Sequence, residues 1–507
     1  MTTDAQTPLI VIVSNRGPYS FRQQADGSFE VRRGAGGLVT ALSEVARQHD
    51  LVWVSAALSE EDRAWATAQG GKLVNIEGIQ TGMVVPDLQA YEQYYNEIAN
   101  PLLWFIQHQL WDAVRQPVVT QATWAAWANG YVAMNQQFAD AVVAMVADET
   151  RPLLIFPQDY HLYLMPAMLR AQLGDRAVIQ PFVHIPWPGP DAWRMLSVEM
   201  REALLVGLLG SDRIGFQTKA DAFNFVQTCR FYLRDAHSYG SRDSVEYGGR
   251  RVEARAYPIS VDVEAVQAVA KSTEAQLFRT QIANIAGGRA LILRTDRVEP
   301  SKNILRGLQA FRELLATYPE HHGRVVMLVL LVPSRMEVRE YQTYLQEVMA
   351  EAGLINADFS DGLWEPVRII VGNNYARAVA AMQLYDVLVV NPLADGMNLV
   401  AKEGVLVNER QGVLVLSELA GAAYELGEQA LTISPFDVYA TARAMHMGLT
   451  MPPMERAERA TALREVVMQA DVRAWFAAQV SDAVRDWASH SSNSATPATS
   501  STQTSAA

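Results

Sequence analysis

The sequence predicts an α/β protein built on two doubly wound parallel sheets. Short, continuously apolar runs alternate with longer stretches of helical periodicity, and the runs fall into two series with a polar stretch near 262–285 between them. Strands that are apolar throughout must be covered on both faces, as in parallel sheets with crossover helices. At 507 residues the chain also exceeds what one hydrophobic core sustains, so at least two domains are expected.

The first series holds the runs 9–13, 153–156 and 178–183, and the second the runs 290–293, 325–331, 387–390 and 413–416. Helical patterns lie between them, for example 304–317 and 377–384. A last amphipathic helix is expected over 472–487, where Val472, Phe476, Val480, Val484 and Trp487 recur at near-helical spacing. The tail 488–507 is rich in Ser, Thr and Ala, with nothing large to bury, and is expected to be disordered. The expected domains are 1–265 and 266–471.

Half the residues are hydrophobic and 19% are charged, the profile of a soluble globular enzyme. A single cysteine, Cys229, excludes an internal disulfide and points to a reducing, cytoplasmic location. The opening MTTDAQTP has no basic region followed by an apolar one, so no signal peptide is expected. No apolar run reaches the roughly 18 residues of a membrane span. A net charge of −13 argues against a nucleic-acid partner, so an anionic ligand must be met by a local basic cluster.

Polar residues at the carboxyl ends of parallel strands line the crevice where such sheets bind ligands. Ser14-Asn15-Arg16 ends the first run, and Gly34-Ala35-Gly36-Gly37-Leu38 follows, a glycine-rich turn whose backbone admits a phosphate or sugar. Asp159 and His184 each follow a strand. Arg297 and Lys302 flank a Pro-containing turn after another and could clamp a diphosphate. Asp395-Gly396-Met397-Asn398 precedes a helix whose first N–H groups are free, with Glu403 further along it. Taken singly, each of these features also has a plain structural reading, as a connector, a core histidine or a solvated surface pair.

Together, and in this order, SNR, GAGGL, YYNEIANPLLW, QDYHL, FVHIPWP, LLGSDRIGFQT, YPISVD, DRVEPSK, VPSR, DGMNLVAKE and GVLVLSELAGAA resemble the trehalose-6-phosphate synthase family of retaining glycosyltransferases, from about residue 10 to 487. The resemblance implies a GT-B fold, two Rossmann-like domains with the active site between them, and a last helix, 472–487, that returns to the N-terminal domain. It implies transfer of glucose from a nucleoside diphosphate to glucose 6-phosphate, with neither cofactor nor metal. By the same resemblance, Arg16, Tyr95 and Arg335 contact the acceptor phosphate, and Trp104, Asp159 and Tyr160 shape the acceptor pocket. Gly36 and Gly37 approach the donor phosphates, and His184 contacts the donor sugar. Arg297 and Lys302 hold the pyrophosphate. Asp395, Gly396, Met397 and Asn398 hold donor hydroxyls, Leu399 and Val400 lie near the phosphates, and Glu403 binds the ribose. The implied partners are these two substrates, with room for a homo-oligomer and none for nucleic acid or membrane.

The sequence departs from the family pattern at Gln158 (usually His), Trp187 (Phe), Asn303 (Gly) and Ala394 (Arg), and by the extra stretch 17–33. HIPWP, KN and LVNER are similar to a related pseudo-glycosyltransferase that joins a nucleotide-cyclitol to an aminocyclitol phosphate. A different phosphorylated acceptor, or a catalytically silent sugar-phosphate sensor, therefore stays open at this point.

Overall fold

A computed structural model describes residues 7–34, 50–238, 242–335 and 337–494. The N-terminal half holds strands β1 (Leu9–Ser14), β2 (Tyr19–Gln23), β3 (Phe29–Arg33), β4 (Leu51–Ala56), β5 (Val74–Ile76), β6 (Ile79–Val84), β7 (Leu153–Pro157), β8 (Ala177–Ile179), β9 (Phe182–Val183), β10 (Arg213–Phe216), β11 (Ser244–Tyr247) and β12 (Arg250–Ala256). The C-terminal half holds β13 (Ala290–Arg297), β14 (Val325–Val332), β15 (Val367–Val371), β16 (Val387–Val390), β17 (Val413–Ser417) and β18 (Leu431–Ile433).

The C-terminal sheet is wholly parallel in the order β15-β14-β13-β16-β17-β18, the doubly wound arrangement. The order in which the chain adds strands reverses between β13 and β16, so the segments after these two strands border the crevice. The N-terminal half repeats the plan, with a sheet β5-β6-β4-β1-β7-β8 whose reversal lies between β1 and β7. A second sheet, β11-β12-β10-β9, continues it: the run expected at 178–183 breaks at Gln180-Pro181, and Gln180 N–H still donates to Ile155 O. Proline has no N–H to give the ladder, which explains the break. The segment after β7 meets the segment after β14, where Arg335 Nη2 donates to the Tyr160 hydroxyl at 3.2 Å.

The polar stretch near 262–285 is a helix pair, Val263–Lys271 and Thr273–Ala286. The boundary expected at residue 265 thus falls inside a helix, one that packs on the C-terminal helices Tyr375–Leu384 and Leu399–Val407. The last helix, Val472–Ser494, runs seven residues past its expected end, so the expected tail cannot begin at 488; residues 495–507 lie outside the described part. This helix lies over β7 and β8. Phe476 packs on Phe156, and the Trp475 indole N–H donates to Tyr257 O at 3.0 Å.

The extra stretch 17–33 is the hairpin β2–β3. Gly34 N–H donates to Pro18 O at 2.7 Å, closing the hairpin at its base. Residues 16 and 34 are therefore neighbours despite the insertion. Phe21 stacks on Trp65 at 3.9 Å, which pins the hairpin to the helix Glu60–Gln69. No described helix is long and apolar enough to cross a membrane.

Candidate active site in the cleft between the two sheets

Local chain geometry at the cleft is unusual. Asp159, Asn303, Arg335 and Asn398 all have positive φ, between 48° and 76°. Side-chain residues held in this region concentrate where function over-determines the backbone. Asn303 occupies a left-handed position that Gly or Asn takes most easily, which accounts for asparagine in place of glycine there. Its amide donates to Asn391 O at 3.0 Å and Pro435 O at 2.8 Å, fixing the turn that carries Lys302.

Lys302 Nζ lies 2.5 Å from Asp395 Oδ2, and Asn398 Nδ2 donates to the same oxygen at 3.0 Å. Burial alone would raise the Asp395 pKa; Lys302 and Asn398 more than offset it and hold the carboxyl below its usual range. Asn398 Oδ1 also caps the helix Leu399–Val407 by accepting from Ala401 N–H at 3.1 Å. Leu399 and Val400, half-buried, form the first turn behind that cap. Met397 is buried.

Gly396 brings the two halves together. A Cβ there would lie 1.8 Å from His184 O, so no other residue fits without moving one backbone. His184 follows β9, and its backbone N–H donates to Asp159 Oδ1 at 3.1 Å. Burial raises Asp159 to about 6. The His184 ring is held on both sides. Gln158 Nε2 donates to Phe156 O, which turns Gln158 Oε1 toward His184 Nε2 at 2.9 Å. Gln217 Oε1 accepts from Ile259 N–H, which leaves its amide to donate to His184 Nδ1 at 3.5 Å. The ring therefore carries its proton on Nε2, and burial keeps it neutral, with a pKa lowered to about 3. Both ring nitrogens are engaged by protein, so the part of His184 facing Gly396 is its carbonyl. Gln158 in place of histidine is what completes this ring clamp.

The acceptor residues expected from three separate segments converge. Arg335 Nη1 donates to the Tyr341 hydroxyl at 2.7 Å, Nη2 donates to the Tyr160 hydroxyl at 3.2 Å, and the guanidinium lies 4.8 Å from the centre of the Trp104 ring. Tyr160 OH in turn donates to Asn100 Oδ1 at 2.6 Å. Tyr95 lies where burial would raise its pKa, and Arg335 and Arg16 together bring it below the usual value. Tyr95 and Trp104 sit on the widened π-helical stretch Gln93–Trp104, where Pro101 removes a backbone donor and interrupts the regular ladder. Arg16 is exposed.

Several residues at the site were not anticipated. Glu299 is fully buried, and its Oε1 lies 3.0 Å from Arg297 Nη1 and 3.4 Å from Arg335 Nη1 while accepting from Ser334 Oγ at 3.0 Å. Burial opposes its ionisation, but Arg297, Arg335 and Lys302 overcome this and hold it at about 2. The His108 ring lies 4.0 Å from that of Trp104, tilted by 32°, and within the field of Asp395, Glu299 and Lys302; burial, the larger effect, lowers its pKa to about 4. Tyr375 OH donates to Glu403 Oε1 at 2.9 Å, and burial lifts Glu403 to about 7. The signal for Glu299 was its place between two cations, Arg297 and Lys302; nothing local pointed to His108 or Tyr375. Gly36 and Gly37 lie outside the described residues.

Two facing doubly wound sheets, with cations and a carboxylate at their crevices, define a GT-B glycosyltransferase. Residues 8–485 match the model of glycosyltransferase family 20, and the chain belongs to that family. It is 31% identical over 459 residues to the UDP-forming alpha,alpha-trehalose-phosphate synthase of Schizosaccharomyces pombe, covering 88% of this chain and 85% of that protein. It resembles the Escherichia coli trehalose-6-phosphate structure bound with UDP-2-fluoro glucose, with a TM-score of 0.80, 27% identity, and coverage of 94% and 98%. It also resembles the Burkholderia xenovorans UDP-forming alpha,alpha-trehalose-phosphate synthase in complex with glucose-6-phosphate, with a TM-score of 0.79, 26% identity, and coverage of 93% and 99%.

Proposed function

We propose that this enzyme transfers glucose from UDP-glucose to glucose 6-phosphate with retention at the anomeric carbon, giving alpha,alpha-trehalose 6-phosphate. The observation that carries the reading is the meeting, across one cleft, of the Lys302–Asp395 pair with the Arg16–Tyr95–Arg335 cluster. Each cluster suits one half of the reaction.

On this reading, Lys302 leaves Asp395 for the donor diphosphate and acts there with Arg297. Their charge stabilises the negative charge that grows on the leaving group. Asp395, Asn398 and the backbone at Gly396 and Met397 then accept and donate to the glucosyl hydroxyls, with the His184 carbonyl facing them. The N–H groups of Leu399 and Val400 point to the phosphates, as free amides at a helix start do. Glu403 accepts from the ribose. The acceptor's phosphate is gripped by Arg16, Tyr95 and Arg335, and Trp104, Asp159 and Tyr160 wall its sugar, so the attacking hydroxyl is held in place. The bond from the anomeric carbon to the diphosphate oxygen breaks, the bond to the acceptor oxygen forms on the same face, and the hydroxyl proton passes to the leaving diphosphate. No side chain is assigned as a nucleophile.

Uridine as the base follows the UDP-forming relative and the UDP-2-fluoro glucose complex. The test is a matrix of nucleoside diphosphate glucoses against glucose 6-phosphate, other sugar phosphates and cyclitol phosphates, with the product identified by NMR. Product only from a cyclitol phosphate, or no turnover at all, overturns the assignment.

A further inference from the structure

At the opposite end of the C-terminal sheet, two histidines from distant segments meet ring to ring. His321 closes the short turn Pro319–His321 just before β14, and His446 lies near the end of the helix Val438–Thr450. His321 Nε2 and His446 Nδ1 are 3.0 Å apart. Glu320 stands beside them, and ligand atoms of all three residues lie within 4.8 Å of one another. His321 is buried, His446 half-buried and Glu320 exposed. Tyr318 stacks on the His446 ring at 3.8 Å and 8°, so that ring is held in orientation.

We infer that Glu320, His321 and His446 form a binding site for one divalent transition-metal ion of the zinc class. Imidazole nitrogens are borderline ligands that suit Zn²⁺, Co²⁺ and Ni²⁺ better than Mg²⁺ or Ca²⁺. Two nitrogens bound tetrahedrally at about 2.0–2.1 Å stand roughly 3.3 Å apart, so the observed pair needs only a small opening to admit the ion between them. Glu320, on the solvent side, supplies an oxygen and a negative charge, and water fills the fourth position. The ion would tie the turn before β14 to the helix after β18, joining segments 125 residues apart. Strands begin at this end of the sheet and deliver the reaction cleft at the other, so the site is structural and separate from glycosyl transfer.

The test uses the full chain, stripped with a chelator and titrated with ZnCl2 by calorimetry and with CoCl2 by visible absorption. One equivalent of Zn²⁺ is expected to bind the unsubstituted chain. Co²⁺ is expected to give the d–d band of a nitrogen and oxygen site. His321→Ala and His446→Ala are each expected to weaken binding roughly tenfold or more while leaving the transfer rate unchanged. His446→Gln retains a hydrogen-bonding side chain but no imidazole, and is expected to behave like His446→Ala. Absence of Zn²⁺ binding to the unsubstituted chain, or binding unaltered by substitution of either histidine, overturns the site and leaves the contact as a shared-proton hydrogen bond. Should a variant fail to fold, the Co²⁺ spectrum of the unsubstituted chain decides, and a missing band overturns the proposal.

Discussion

Arg297 and Arg335 grip the same oxygen, Glu299 Oε1, from opposite sides of the reaction. One arginine is proposed to serve the donor and the other the acceptor, and a single buried carboxylate sets the spacing between them. Glu299→Gln removes the charge and retains the shape. It is expected to raise the KM of both substrates and to lower kcat/KM by about tenfold or more, the scale of a hydrogen bond to a charged group. Kinetics with each substrate varied in turn check this; an unchanged KM for both would show that Glu299 positions neither arginine.

Lys302 is paired with Asp395 at 2.5 Å, and the pair is largely buried. Lys302→Ala therefore removes a charge proposed for the diphosphate and also strands a carboxylate. Arg297→Ala removes the first and takes one partner from Glu299, which keeps Arg335 and Ser334. Both are expected to cut kcat by roughly 100-fold or more, with Lys302→Ala also lowering stability. Turnover near that of the unsubstituted enzyme in either variant would sink the diphosphate clamp.

These site residues were legible in sequence because each follows an apolar strand, where doubly wound sheets place their ligands. The strands themselves were legible only where both faces are buried, as in Val325–Val332. Arg250–Ala256 and Val367–Val371 escaped because exposed polar or charged positions interrupt them, so no continuous apolar run remains. Gln158 and Gln217 clamp one imidazole across 26 and 33 residues of sequence, and His108 faces the Lys302–Asp395 pair from the end of the helix Phe105–Gln107. Such partners are set by long-range packing, and no local pattern marks them. Asn303 is an intermediate case: the sequence showed its departure from glycine, and the positive φ gives the reason asparagine is tolerated there.

The acceptor cluster makes a sharp forecast for substrate choice. Arg335 is held by Glu299, Tyr341, Tyr160 and the Trp104 ring, whereas Arg16 is exposed. A bound sugar without a phosphate would cover Arg16 and give neither arginine an anion, which penalises an unphosphorylated acceptor. Glucose 6-phosphate is expected to be used and glucose hardly at all. Arg16→Ala is expected to weaken glucose 6-phosphate with little effect on the donor and on stability; Arg335→Ala is expected to weaken it and destabilise the fold, since Glu299 loses a partner. Initial rates with both sugars decide the matter, and comparable rates with glucose would refute the phosphate pocket.

Glu403 brings a pH dependence. Burial lifts its pKa to about 7, so it is mostly neutral below that pH and ionised above it. An ionised carboxylate accepts from ribose hydroxyls more strongly than a neutral acid. Donor KM is therefore expected to fall as pH rises through about 7, and Glu403→Gln is expected to flatten that profile. For stability the sign reverses. The folded pKa lies above the ordinary value of 4.5, so this group's contribution is fully present below that value and is lost as pH rises through about 7. A Glu403→Gln profile that keeps the slope would assign the titration elsewhere.

The last forecast concerns the helix Val472–Ser494, which holds the end of the chain against the N-terminal half. Asp482 is buried, and its Oδ2 lies 2.7 Å from both Arg213 Nη1 and Arg255 Nη1 and accepts from the Tyr257 hydroxyl at 2.6 Å. Arg213 also meets Asp486 at 2.9 Å. Stripping a buried charge of its only partner typically costs about 3–5 kcal/mol; Arg213 keeps Asp486 and Glu253, so the cost here is expected to be smaller. Asp482→Ala is expected to lower the unfolding midpoint in urea markedly, and Asp482→Asn less, because the amide oxygen still accepts from Tyr257. Deleting residues 495–507 is expected to change neither midpoint nor activity, since a Ser, Thr and Ala tail has little apolar surface to offset the entropy of ordering it. Truncation before 472 should remove Trp475 and Phe476 from β7 and β9 and abolish activity, because Trp475 also packs beside the His184 ring. The measurements are urea unfolding and transfer rate for the two substitutions and two truncations. An Asp482→Ala midpoint matching that of the unsubstituted chain would mean that apolar packing alone docks the helix.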